Sequence, residues 1–351
     1  MFASTPVRGY RLWAVLTLLL PALVIIGRPA SSTAAAAKPL ELGMSLSIIE
    51  MNDRWTKVVK PWIETIQKES KGQVKINPYF VGTLTKEQQN YQGLVDGLID
   101  LSYATFVSEW GRFPMTEIML VSPPGGKTYT RPSRVLWELY EQFPEFKKEY
   151  AQVKLLSFNA LPLSTIATTK PVTKLEDMKG KKISTGCRDQ LTALGAQAVF
   201  QPFEQCYDSL SKGVFDGIDC AEADYVANKF AEVAKYKLTN SPIKAYPAGL
   251  AMSLTTWNKL PADLQADFSK YSGVYFADLA DTALAASEAA CREQAKKMGA
   301  QYNTLSPAEA ERWAKAIEPT RTKAAAALNA KGLPGTALLK AMDDLIVKYG
   351  K

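Results

Sequence analysis

The sequence predicts an α/β protein of two lobes, and three observations carry that reading. Short apolar runs alternate with amphipathic helical stretches across short joints, the pattern of parallel sheets with right-handed crossovers. The alternation occurs twice, on either side of a crossing near residues 159–162. A helical stretch at 262–298 would measure roughly 55 Å at 1.5 Å per residue, longer than one lobe of this size. The 351 residues, 47% of them hydrophobic, suffice for one large core or two ordinary ones.

Residues 1–37 read as a cleavable secretory signal. Arg8 and Arg11 form its positive region, 12–26 its apolar run and 31–37 a small-residue cleavage zone. The run is short for a membrane span and is interrupted by Pro21, which favours cleavage over an uncleaved anchor. The first lobe opens with a strand at 40–46. Asn52 or Asp53 caps a helix whose Trp55, Val58, Val59, Trp62, Ile63 and Ile66 share one face. Pro61 is expected to kink that helix and Gly72 to end it. A strand at 74–79, a helix at 86–97 and a strand at 99–105 follow. Phe106, Trp110 and Phe113 then cluster on a loop, either as core beneath it or as a cleft wall. A helix at 131–150 and a strand at 153–158 complete this passage.

In the second lobe, strands at 166–169, 181–185, 198–201 and 215–219 alternate with short helices. A strand at 247–255 returns to the first lobe. Gly299 ends the long helix, and Ser306-Pro307-Ala308-Glu309 is a capping box that starts a C-terminal one. The expected partition is 38–161 plus 247–285 for lobe I and 162–246 plus 286–351 for lobe II.

Composition narrows the chemistry. The chain has no histidine, which removes Ser–His and Cys–His nucleophile pairs and every histidine-containing metal site. Cys187, Cys206, Cys220 and Cys291 match no zinc spacing, so no metal or cofactor is expected. Of the formal charge of +7, Arg8, Arg11 and Arg28 of the leader carry +3, leaving +4. No Lys/Arg block with interleaved aromatics calls for nucleic acid. Ser209 and Lys212 have the S-x-x-K spacing, in which a lysine activates a serine one helical turn away. The companion motifs of such hydrolases are missing: Lys127-Thr128 is followed by Tyr129 and no S-D-N occurs. A solvated helix face explains Ser209 better.

The stretch from Lys170 to Cys187, KPVTKLEDMKGKKISTGC, places a turn at Gly180, a short basic strand and a tight step at Gly186 into a helix. Steps of this kind set backbone N–H groups at the ligand-binding edge of open α/β sheets. It closely resembles the corresponding segment of the solute-binding proteins of tripartite ATP-independent periplasmic (TRAP) transporters, the DctP family. The resemblance continues through Ala193–Ala196, Phe203–Tyr207, Leu210 and Gly213–Gly217. It extends back to Gly72, Leu84 and Gly97–Asp100 and forward to Trp257–Pro261, covering nearly the whole chain after residue 38.

The resemblance implies a two-lobed periplasmic binding protein (Venus-flytrap) fold with a long helix spanning both lobes. It implies a periplasmic, non-enzymatic protein, expected to be a monomer, that delivers a small solute to TRAP membrane permease subunits. The family's cleft positions fall on Ser45, Thr105, Phe203 and Cys220, with Asp219 and Glu222 beside the last. Asp219 and Glu222 are alternatively caps of the helix that follows, and Phe203 is alternatively core. Phe106, Trp110 and Tyr225 are possible aromatic walls. Two arginines that meet a ligand carboxylate in the family are matched here by Ser164 and Ser184. The implied ligand is therefore a small polar solute, neutral, hydroxylated or amine-bearing, in place of a simple C4-dicarboxylate. An organic acid held by Arg188 or Arg112 is the alternative. The family match also brings Cys187 and Cys220 to one cleft edge, implying a disulfide between them. Cys206 with Cys220 is the rival pairing, and Cys291 is expected free.

Overall fold

Eleven strands form two sheets in the computed structural model, which describes residues 38–350 apart from 109–110, 127–128, 202 and 242. The signal segment and Trp110 lie outside the described residues, as does the side chain of Phe203. In chain order the strands are β1 (Leu40–Leu46), β2 (Val74–Phe80), β3 (Leu101–Ala104), β4 (Val153–Ala160), β5 (Thr165–Thr168) and β6 (Lys182–Ser184). They continue with β7 (Gln197–Val199), β8 (Gly217–Cys220), β9 (Tyr236–Leu238), β10 (Pro247–Ser253) and β11 (Gln301–Asn303).

The lobe I sheet has the order β2-β1-β3-β10-β4, and the lobe II sheet β11-β9-β5-β8-β6-β7. The two follow one plan. In each, a first strand (β1, β6) lies between its two successors as a parallel trio. In each, an antiparallel strand supplied by the other passage of the chain follows: β10 in lobe I and β5 in lobe II. The connections β4 to β5 and β9 to β10 are therefore the crossings between lobes. The position where each trio changes direction, at the C-terminal ends of β1 and β3 and of β6 and β8, is where open α/β sheets bind ligands.

Side chains explain the local departures from the sequence reading. The first helix begins as a wide turn over Trp55–Val59, where the Lys60 N–H reaches back to the Trp55 carbonyl, before Lys60–Glu69 continues as α-helix. Pro61 offers no N–H to continue the ordinary ladder, and the wider turn absorbs that loss. The helix expected at 131–150 is two, Pro132–Gln142 and Pro144–Glu149, because Pro144 holds Phe143 extended. The long helix is likewise divided into Ala262–Lys270 and Val274–Lys297. Gly273 sits between them at φ +54°, where a side chain would also press on the Trp137 ring. The C-terminal helix runs Pro307–Ala330 and is followed by a second, Gly335–Tyr349, whose Leu338 and Met342 join the lobe I core.

Each sheet is covered by buried apolar clusters. One cluster carries Trp62, Phe268 and Phe276, the Trp62 indole N–H donating to the Tyr271 carbonyl at 2.9 Å. Tyr91, Phe106, Phe113, Tyr150 and Phe158 belong to another, with rings 4.8–6.1 Å apart, Phe113 stacked on Tyr150 and the other pairs edge-on or tilted.

The helix Val274–Lys297 is fastened to both lobes by carboxylates. Asp281 accepts from the N–H groups of Ser133 (2.9 Å) and Arg134 (3.0 Å), capping the lobe I helix Pro132–Gln142. Glu288, seven residues on, accepts from the N–H groups of Glu222 (2.9 Å) and Ala223 (3.1 Å), capping the lobe II helix Glu222–Ala227. Both carboxylates meet the exposed donors that every helix start leaves, with the dipole in their favour. A further tie runs through 115–122. Glu149 holds Met115 and Thr116, while the Leu120 carbonyl accepts from Gln190 (2.6 Å) and Ser122 donates to the Ile243 carbonyl (2.8 Å).

Candidate functional site

The strand ends that face one another across the lobes carry a set of polar groups. On lobe I, Ser45 at the end of β1 shares a hydrogen bond with Thr85 at 3.0 Å. Thr85 donates to Asn90 at 2.7 Å, and Asn90 donates to Ser47 at 2.9 Å. After β3, Thr105 lies beside Glu87; burial pushes the Glu87 carboxyl up, with Thr105 and Arg54 pulling against it. Arg54 holds the Asn52 side chain at 3.1 Å and acts electrostatically on the Tyr103 phenol, which donates to Asn159. Burial pushes Tyr103 up to about 12.

On lobe II the centre is Asp219 on β8. Lys244 forms a buried ion pair with its Oδ2, and the Ser164 hydroxyl donates to the same oxygen at 3.1 Å. Asp219 Oδ1 is also buried and has no hydrogen-bond partner. Burial opposes the charge on Lys244, but the Asp219 carboxylate, together with the Cys187 and Tyr246 groups, holds the ammonium above its ordinary range. The same amine faces the Cys187 thiol, which burial pushes up to about 12, and lies 5.7 Å from the centre of the Tyr246 ring. Groups of the two lobes sense one another here: Arg54 of lobe I pulls down the Asp224 carboxyl that burial raises, and Glu87 acts on Tyr246. Such an arrangement presents hydrogen-bonding groups and fixed charges at the facing strand ends. Among the described residues no group of acidic or cysteine side chains could hold a metal ion.

Residues 47–327 match the family of bacterial extracellular solute-binding proteins, family 7 (DctP). The chain belongs to that family. A solute-binding protein of Albidiferax ferrireducens is 25% identical over 273 residues, 76% of this chain and 79% of the relative. The crystal structure of a TRAP periplasmic solute-binding protein from Desulfovibrio salexigens superimposes with a TM-score of 0.81 at 25% identity, covering 89% of this chain and 97% of that one. A TRAP solute-binding protein from Rhodoferax ferrireducens gives 0.80 at 23% identity, covering 88% and 98%. The chain is thus an extracytoplasmic component of a TRAP transporter, a periplasmic binding protein and not an enzyme. Ser209 and Lys212 fit that reading, with Lys212 paired to Asp208 on an exposed helix face at 3.7 Å.

Within this TRAP binding protein the residues singled out from the sequence separate into groups. Ser45, Thr105, Ser164 and Asp219 lie at the facing strand ends. Ser184 is buried with its hydroxyl 3.3 Å from Cys206, and its partner in register is Ile218. Pleating therefore sets it on the sheet face opposite Asp219. Phe106 is taken up by the lobe I core, its ring lying directly against Gly249. Glu222 starts the helix Glu222–Ala227 and accepts from Tyr302 at 2.7 Å while pairing with Arg292 at 3.3 Å, an anchor for the long helix. Tyr225 is buried and donates to the Ala234 carbonyl at 2.7 Å. Arg112 lies over the Tyr91 ring, 4.4 Å from its centre. Arg188 lines a groove of about 340 Å³ with Glu117, Ile118, Lys323 and Lys331.

The disulfide expectation is corrected: all four cysteines are thiols. Cys187 packs with Ile183, Leu191 and Trp313 and donates to the Leu120 carbonyl at 3.4 Å. Cys220 belongs to a different cluster with Phe215, Tyr225 and Phe230, and its sulfur faces the Lys237 amine at 3.7 Å. Adjacent in sequence to Asp219, Cys220 points to the other side of the sheet, and a shared strand-end position does not bring such side chains together. Cys206, in the same cluster as Cys220, is directed at Ser184. The sequence reading missed Lys244, Arg54 and Glu87. Only Arg54, next to the candidate helix cap at Asn52 and Asp53, carried a positional signal.

Proposed function

We propose that this binding protein, as a monomer, captures a small polar metabolite between its lobes and hands it to a pair of membrane permease subunits. The solute is not a simple C4-dicarboxylate. One observation carries this: where the family's resemblance places two carboxylate-binding arginines there are Ser164 and Ser184, and the amine nearest to Ser164, Lys244, is already neutralised by Asp219. An arginine offers a carboxylate two parallel charge-assisted bonds, which neither serine can replace.

A second reading, an organic acid, is supported by Arg54 and by the solved relatives. The Rhodoferax ferrireducens protein was obtained with co-purified benzoate, and one from Bordetella bronchiseptica with bound mandelate. A thermal-shift panel separates the two. Polyols, sugars or amino alcohols should raise the melting temperature of the mature protein, and succinate, malate and fumarate should not. A larger shift with the dicarboxylates overturns the proposal.

A further inference from the structure

Away from the facing strand ends, three passages of the chain meet in an internal joint. They are the tie that ends at Ser122, the connector from β9 to β10 that crosses between the lobes, and the helix Pro307–Ala330. Ser122, Ser241, Ile243, Trp313, Ile317 and Arg321 are among the residues lining a cavity there, which gives the centre of a water molecule about 20 Å³. One water needs about 10–15 Å³ of such space, so the cavity has room for a water and for no metabolite.

Most polar groups around the cavity are already paired. Ser122 donates to the Ile243 carbonyl at 2.8 Å, and its own carbonyl accepts from Arg321. Asn240 donates to the Leu305 carbonyl at 2.9 Å and accepts from the Leu305 N–H at 2.8 Å. Arg321 pairs with Asp343, while its Nε has the Glu318 carboxylate 3.3 Å away but makes no hydrogen bond. Two further donors remain, the Ser241 hydroxyl and the Trp313 indole N–H. Among the described residues neither has a hydrogen-bond partner, and the two residues are only 4% and 3% exposed. Buried donors in that state call for an acceptor, and both border the same water-sized space.

Charge decides between a water and an anion. A halide would turn to the Arg321 guanidinium, but that group already faces two carboxylates, Asp343 and Glu318. No surplus positive charge is left to offset a buried anion. A water carries no charge, accepts from the indole, and exchanges a bond with a hydroxyl, which both donates and accepts. Ile243 and Ile317 complete the walls with hydrocarbon.

We propose that this cavity is a binding site for one internal water, which accepts from Trp313 Nε1 and shares a hydrogen bond with Ser241 Oγ. Through it the connector that crosses between the lobes is fastened to the helix Pro307–Ala330. The direct bonds of Ser122 and Asn240 hold the same connector on either side of Ser241.

The test is a crystal structure of the mature protein, from crystals grown with bromide as the only halide. Expected is one solvent peak within about 3.2 Å of both Trp313 Nε1 and Ser241 Oγ, with no anomalous bromine signal. A bromine signal there makes the occupant a halide and overturns the proposal, as do well-ordered side chains with no peak between them. Denaturant unfolding of Ser241→Ala, Trp313→Phe and the double variant reads the same bridge in solution. A shared water makes the two positions interdependent, so the double variant's unfolding constant should depart by more than about twofold from the product of the single effects. Agreement with that product within about twofold, the range of independent sites, overturns the bridge.

Discussion

Glu149 gives a prediction that depends on no ligand. Its carboxylate accepts from the Met115 and Thr116 N–H groups and from the Thr116 hydroxyl at 3.0 Å, anchoring the segment that runs on to lobe II. Burial pushes it from an ordinary 4.5 up to about 7, and the hydrogen bonds only partly offset that. The folded chain therefore holds this proton more tightly than the unfolded chain. Stability associated with it is complete below about pH 4.5 and is lost as pH rises through 7. With those two values the loss between pH 5 and pH 8 is about 2–3 kcal/mol. For a chain of this size that lowers the melting temperature by roughly 4 °C. Glu149→Gln removes the ionisation while keeping one acceptor oxygen. Glutamine resembles the protonated acid, so melting curves of both proteins should lie close at pH 5 and separate through pH 6, 7 and 8, the wild type losing that much more than the variant. Asp281, which burial pushes up to about 6, adds a decline in the same direction to both. Parallel pH profiles for the two proteins would refute the reasoning.

The carboxylate clamps of the long helix predict that Glu288→Ala costs about 1–2 kcal/mol, since the Glu222 and Ala223 N–H groups lose their acceptor. Chemical denaturation checks this, and a cost below 0.5 kcal/mol, the scale of an ordinary surface substitution, speaks against the clamp. With all four cysteines as thiols, titration of the denatured protein under non-reducing conditions should count four reactive groups. A count of two restores a disulfide.

The frame of this protein was legible because it rests on strong local signals. The strands β1, β4 and β10 are long, largely apolar runs bounded by turns, β2 begins with Val74 and Ile76 alternating with polar residues, and the motif from Lys170 to Cys187 carries its own glycine turn. Among the described residues four strands have three residues: β6 and β7 follow glycine turns at Gly180 and Gly195 that mark them, whereas β9 and β11 have no periodicity to read and escape. The breaks at Pro144 and Gly273 were in principle visible, since proline restricts the residue before it and glycine tolerates positive φ. The site was less legible. Lys244 lies on a connector between β9 and β10, and its meaning comes from Asp219, 25 residues away, which only the fold brings within reach. The disulfide failed for a related reason. Strand ends were read correctly, but which sheet face each cysteine takes follows from register, and Cys220 is one residue from Asp219 on a strand that alternates at every step.

The central claim is tested most directly by native mass spectrometry of the protein isolated from the periplasm, followed by identification of what it releases on denaturation. The account predicts a chain that has lost its leader near residue 37, carrying one equivalent of a small polar metabolite that is not a C4-dicarboxylate. Stoichiometric release of a dicarboxylate, or recovery of the chain with its leader intact in the cytoplasm, would contradict it.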